Sequence, residues 1–364
     1  MTSTTSAAPR STRRHRPDPL ARVARLEVPR QRERTSADPL AVEQIVRFTR
    51  LVLVVGCAVA AARTLAPADA GAVAATFVVL VCTVRAITAG TVLTMDHMVA
   101  SGACSPDLLL TDGAVTGIVV GVPAAMWMTV VAGSLLGTWS GALLAGAATM
   151  VCTIAADLTR AVQLAGRRRA VWTTEIVALT GAAAITTLLA HRHPLSVTDV
   201  VMIWTAAAGL VPVVLALIVR RRFAAFDEEG VRVLARSAPD LASTSVIFAW
   251  ALGVPVVAWV DGRADAWRLA LAAGAAHLLV VVGSLLREPV DTGTGRQAIE
   301  AIARDTRRTI LDGSCLALLT ASAMPLVIAG LIDVSDARVA LAMAMLMPGA
   351  LAMLVQRRLA HHLR

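Results

Sequence analysis

The sequence predicts an all-α fold, a polytopic transmembrane helix bundle of about ten helices with both termini in the cytoplasm. Three observations predict it. Hydrophobic residues make up 57% of the 364 positions and charged residues only 16%, with a mean hydropathy of +0.70. A soluble chain has about a quarter charged residues, so this one cannot cover a water-facing surface. Apolar runs of about 20 residues recur along it, the length that crosses ~30 Å of hydrocarbon at ~1.5 Å per residue. The connections between the runs alternate between short, Arg-poor stretches and longer, Arg-rich ones.

Residues 1–40 are rich in Arg, Ser, Thr and Pro without apolar periodicity, and read as a disordered cytoplasmic tail. The tail is not read as a signal peptide, because the first apolar run begins at Leu51. Ten apolar segments follow, near 46–65, 72–94, 114–135, 138–158, 172–190, 198–219, 241–260, 266–286, 310–331 and 338–356. The first six form an N-terminal lobe, 41–219. A cytoplasmic linker spans 220–240, and four more segments form a C-terminal lobe, 241–364. Within the linker Phe223, Phe226, Val231 and Leu234 stand among charges, the pattern of an interfacial amphipathic helix. A second surface helix is expected in 287–308, where Ala298, Ile299, Ala301 and Ile302 alternate with Arg304, Arg307 and Arg308.

All 34 basic side chains of the Lys+Arg count are Arg. With the N-terminus inside, 28 of them lie on the tail, the long connections and the C-terminus, against 5 on the short connections. That is the positive-inside pattern. The net charge of +9 therefore reads as a collar against anionic lipid rather than a nucleic-acid patch. Trp139, Trp172, Trp259 and Trp267 fall at expected interfaces. The five Cys form no CxxC or metal spacing, and the chain carries no GxSxG, HExxH, Walker A or Rossmann fingerprint. No metal, no cofactor and no enzymatic activity are expected.

Leu-Thr-Asp-Gly at 110–113 is echoed by Ile-Leu-Asp-Gly at 310–313. Segments one to four match seven to ten in order and spacing. The offset is an even number of helices, which predicts two parallel repeats, six helices plus four. Pro123, Pro212, Pro255, Pro325 and Pro348 lie inside predicted helices and are expected to kink them.

Ala156-Asp157-Leu158-Thr159-Arg160, then Ala165-Gly166-Arg167-Arg168-Arg169-Ala170 and Glu175, resembles a cytoplasmic corner of bacterial polysaccharide exporters. In those proteins an acidic residue and an Arg end the fourth helix, a Gly-Arg turn follows, and an acidic residue lies in the fifth. Arg85-Ala86-Ile87-Thr88-Ala89-Gly90 looks similar to their second helix. These proteins belong to the multidrug/oligosaccharidyl-lipid/polysaccharide (MOP) exporter superfamily. The resemblance covers the first six helices best; the second half has four helices where the family has six. It implies two lobes around a central cavity and flippase-like export of a lipid-linked saccharide.

Charged groups inside spans are costly and mark function by default. Arg85, near the midplane, and His277, within the eighth segment, are the candidate substrate-binding residues. A guanidinium can grip a pyrophosphate bidentately, and the competing reading of Arg85 is a structural ion pair or snorkelling. His277 reads as a proton relay or as a hydrogen-bonded packing residue. Asp157, Arg160 and Glu175 are the candidate gating or coupling residues, with Asp157 and Arg160 on one face at i, i+3; the competing reading is a structural corner. Asp112 and Asp312 are expected at helix N-caps or first turns. Asp96-His97 lacks a third ligand for a metal.

The expected partners are membrane lipids, a lipid-linked saccharide and envelope-biosynthesis glycosyltransferases, with no nucleic acid, at the cell membrane. Two rivals stand beside the exporter. One is a membrane-embedded polyprenyl-phosphate-dependent transferase, for which the six-residue outer loops leave little room. The other is a non-transporting scaffold, favoured by the short second half and the basic tail.

Overall fold

A computed structural model describes residues 65–102, 104, 106–219, 227–238, 253–285, 296–332, 341, 344–352 and 354–355. The tail 1–40, most of the first predicted span 46–65 and residues 241–252 of the seventh lie outside the described residues. All regular structure among the described residues is helical. In chain order the helices are α1 (Pro67–Ala100), α2 (Pro106–Leu136), α3 (Trp139–Leu164), α4 (Arg168–Arg192), α5 (Val197–Val219), α6 (Glu228–Ser237), α7 (Arg263–Leu285) and α8 (Arg296–Ile332). Residues 253–260 and 344–352 are also helical. The first five are long and apolar enough to cross a membrane.

The helices outrun the apolar runs that announce them. α1 has 34 residues, about 51 Å at ~1.5 Å per residue, and continues through Asp96-His97. The surface helix expected in 287–308 and the span expected at 310–331 are one helix, α8, of 37 residues. An apolar stretch marks the part of a helix that lies in hydrocarbon, whereas backbone hydrogen bonding carries the helix on into polar sequence. The linker helix expected around Val231 and Leu234 is present as α6.

Two left-handed glycines make the tightest joints. Gly137 (φ +67°) ends α2 and leaves a two-residue turn into α3. Gly166 (φ +82°) ends α3, with its N–H on Gln163 O at 3.0 Å and the Arg167 N–H on Val162 O at 3.1 Å, a Schellman ending. This is the Gly-Arg turn seen in the sequence.

α2 and α3 form the closest antiparallel pair. Gly113, Gly117 and Gly121 repeat every four residues along α2 and turn one face to α3. A Cβ on Gly117 would lie 2.8 Å from Ile154 Cα, and one on Gly121 3.5 Å from Met150 Cα. α3 answers with Gly146, which packs on Ala125 O and Thr129. Small residues at this spacing let backbones touch, which is how helices associate where lipid removes the hydrophobic drive. α1 and α7 run parallel, with Gly71 under the Trp267 ring and Gly274 against Val78, both at an offset of 196 residues.

Two apolar clusters result. One joins α1, α2, α3, α5 and α7 around Val79, Met128, Leu135, Val200 and Ala270. It includes an edge contact of Phe77 with Trp204, 4.9 Å between centroids. The other lies toward the opposite ends of the helices and holds Met95, Leu109, Leu110, Leu158, Leu215 and, from α6, Leu234. Several buried Thr hydroxyls donate within their own helices, as with Thr76 on Ala72 O (2.8 Å) and Thr149 on Ala145 O (2.9 Å).

Candidate functional site

Several polar contacts between helices lie at their Arg-rich ends. Arg160, near the end of α3, meets Asp96 on α1 through two hydrogen bonds, Nε to Oδ1 at 2.8 Å and Nη2 to Oδ2 at 2.6 Å. This planar fork is the strong form of a charge pair, and it is only partly open to solvent. Asp157, one turn earlier, is fully buried and accepts a 2.8 Å hydrogen bond from Thr91 Oγ1. Asp157 and Arg160, on one face at i, i+3, do not pair with each other. Each side chain reaches across to α1, and Arg160 also donates Nη1 to Gln163 Oε1 on its own helix at 3.1 Å. Glu175 is buried in α4. Arg167, at the head of α4, donates to Ile218 O at 3.3 Å and so ties α4 to the end of α5.

Asp112 overturns its expected role. α2 begins at Pro106, so Asp112 lies inside the helix and is fully buried. It caps another helix instead: its Oδ1 accepts the Asp227 N–H at 2.9 Å, at the very start of α6. Asp227 in turn caps α6 by accepting the Glu229 N–H at 3.2 Å. Gly230 lies so close that a Cβ there would sit 2.6 Å from Asp112 Oδ2. The far end of α6 presses on α1, where Gly90 packs directly on the Ser237 carbonyl. Leu234 fills the apolar cluster between these two contacts. The outward face of α6 carries Glu228, Glu229 and Arg232, which pair with one another. Asp312, also expected at an N-cap or first turn, is likewise inside a helix, α8, and is exposed.

The two substrate candidates lie on the parallel pair α1 and α7. Arg85 is midway along α1, and its side chain is exposed although Val84 and Ala86 are buried. His277 is buried in α7. The α1–α7 register sets it level with Val81, about one helical turn from Arg85.

The connections at the opposite ends are short. Leu65–Ala66, Gly137–Thr138, Pro194–Ser196 and Arg263 together line one cleft of about 440 Å³. Arg263 is fixed there by Nε on Leu135 O at 3.0 Å and Nη2 on Leu136 O at 2.6 Å. A cation on the last carbonyls of α2 complements that helix's dipole.

Among the described residues no group of three or more His, Cys, Asp or Glu is placed to hold a metal. Sequence reasoning passed over Thr91, Gly90 and the capping role of Asp112. A GxxxGxxxG run at 113–121 was available as a signal for the α2–α3 contact; nothing local signals Thr91. No family model, curated protein or solved structure matches this chain.

Proposed function

We propose that the chain is a multi-pass cell-membrane transporter that moves a lipid-linked saccharide or related amphiphile by alternating access, in the manner of a flippase. About ten spans in two parallel repeats, with both termini inside, complete this reading. The observation that carries it is Arg85. Its exposed guanidinium stands some 18 residues, about 27 Å, along an apolar helix. A cation at that depth is costly against lipid tails and is stabilised by water or an anion. A water-lined path that meets the phosphate of an amphiphile supplies both, and His277 is one turn away on the facing helix.

The inner corner then serves as the gate. Arg160–Asp96, Asp157–Thr91 and the seated α6 hold α1, α2 and α3 together at the Arg-rich end, and an opening there must break them. Glu175 belongs to the same corner on α4.

The test is mass spectrometry of polyprenyl-linked sugars in cells depleted of the protein, with rescue by wild type and by Arg85→Ala. A completed lipid-linked glycan should accumulate, and wild type alone should clear it. Full rescue by an inserted Arg85→Ala protein removes the assigned role. An unfinished glycan assigns the chain to a transferase, and an unchanged lipid profile to a scaffold.

A further inference from the structure

The cleft at the Arg-poor end has no part in the gate, and its charges are arranged unusually. Asp69 and Arg263 both line it, yet they form no ion pair with each other. Arg263 spends Nε and Nη2 on two carbonyls, which fixes the guanidinium plane while Nη1 keeps its N–H groups. Nη1 lies at Gly137, where a Cβ would come within 2.7 Å of it. Asp69 makes no hydrogen bond or ion pair with any described residue. Thr138, Ser196 and Thr198 add hydroxyls, while Leu65, Leu136 and Val197 supply apolar wall.

Two exposed Trp mark the depth. Trp139 opens α3 directly after Thr138 and is 82% exposed; Trp259, just before the turn into α7, is 87% exposed. Indole rings so placed settle at the headgroup level of a bilayer. A cleft at that level with two opposite, unpaired charges suits a ligand that carries both signs and has lipid tails alongside. Its volume falls in the range of small-ligand sites, ~300–1,000 Å³.

We propose that this cleft binds the headgroup of a zwitterionic lipid bearing a primary ammonium and a phosphate, the phosphate on Arg263 Nη1 and the ammonium on Asp69. A phosphocholine headgroup keeps the charge but has no N–H to donate, and a phosphoglycerol headgroup has no cation. The site does not depend on the transport reading and stands or falls without it.

The experiment uses the purified full-length protein in detergent. Phosphatidylethanolamine, phosphatidylcholine and phosphatidylglycerol of equal chain length are titrated against it, and retained lipid is read by native mass spectrometry. Phosphatidylethanolamine should bind about 10-fold more tightly than either competitor, the scale of one charge-assisted hydrogen bond. Asp69→Asn, which breaks no contact within the protein, should erase that preference while leaving phosphatidylglycerol binding unchanged. Arg263→Gln should weaken all three lipids. Equal binding of the three lipids by wild type, or an unchanged preference in Asp69→Asn, overturns the proposal. Soluble phosphoethanolamine separates headgroup from lipid: competition with bound lipid supports the site, and binding of the soluble compound without any retained lipid overturns its assignment to a lipid.

Discussion

Gly90→Ala tests how α6 is held. The added methyl points at the Ser237 carbonyl, where its carbon would lie 2.7 Å from the carbonyl carbon and 2.9 Å from Ala238 O. These are backbone atoms and cannot swing aside, so the C-terminal end of α6 must lift. What the lift costs follows from what seats the helix. Leu234 is wholly buried, which contributes about 2 kcal/mol. The Asp227 N–H on the Asp112 carboxylate contributes about 1.5–3 kcal/mol. A pivot about the Asp112 end keeps the hydrogen bond and sacrifices the leucine, so the loss is about 2 kcal/mol. At ~1.4 kcal/mol per factor of ten, backbone amides 231–237 should exchange with deuterium roughly 30-fold faster. The same substitution improves α1 by up to ~1 kcal/mol, because Gly is a poor helix former. The melting temperature of the whole protein should therefore hardly fall. Hydrogen-exchange mass spectrometry separates the two effects. Wild-type exchange over 231–237 in a folded Gly90→Ala protein would refute the seating described here.

Further substitutions probe the frame. Arg160→Asp should destabilise by about 1–2 kcal/mol after allowance for its partial exposure, and adding Asp96→Arg should recover about half of that, as expected of a direct pair; a thermal-melt double-mutant cycle with no coupling rejects it. Gly117→Val places a branched side chain 2.8 Å from Ile154 Cα and should cost about 1–3 kcal/mol. Gly181→Ala, with nothing within 4 Å of the new methyl, should stabilise by up to ~1 kcal/mol; a melt that ranks these two the other way contradicts the α2–α3 packing.

The five helices long and apolar enough to cross a membrane were legible, because bilayer thickness writes itself into the sequence as runs of apolar residues. The predicted 198–219 and the observed Val197–Val219 differ by one residue. Helix ends were less legible where polar sequence continues the helix. Asp112 was expected to cap α2 because the apolar run begins after it, yet the helix begins six residues earlier at Pro106. The carboxylate's actual partner, the Asp227 N–H, is 115 residues away. Arg160 and Asp96 are 64 apart. Nothing local encodes such pairings; they depend on which helices pack, and here a glycine repeat does much to decide that. The residue types at the corner were legible, since an acid and an Arg near a helix end in an apolar chain must find partners. Their identities were not.

The kinds of contact also differ in what it would cost to separate them. α2 and α3 touch backbone to backbone along Gly113, Gly117 and Gly121, so any separation opens a void that neither lipid nor water fills well. α1 meets α3 at the Arg-rich end through Arg160–Asp96 and Thr91–Asp157, and α6 meets α1 and α2 through one hydrogen bond, one leucine and glycine contacts. Charged and hydroxyl groups can exchange such partners for water at modest net cost, whereas a glycine seam has nothing to exchange. An opening between α1 and the α2–α3 pair at the Arg-rich end would displace α6 and expose the buried carboxylates of Asp112 and Asp157 to water on the way.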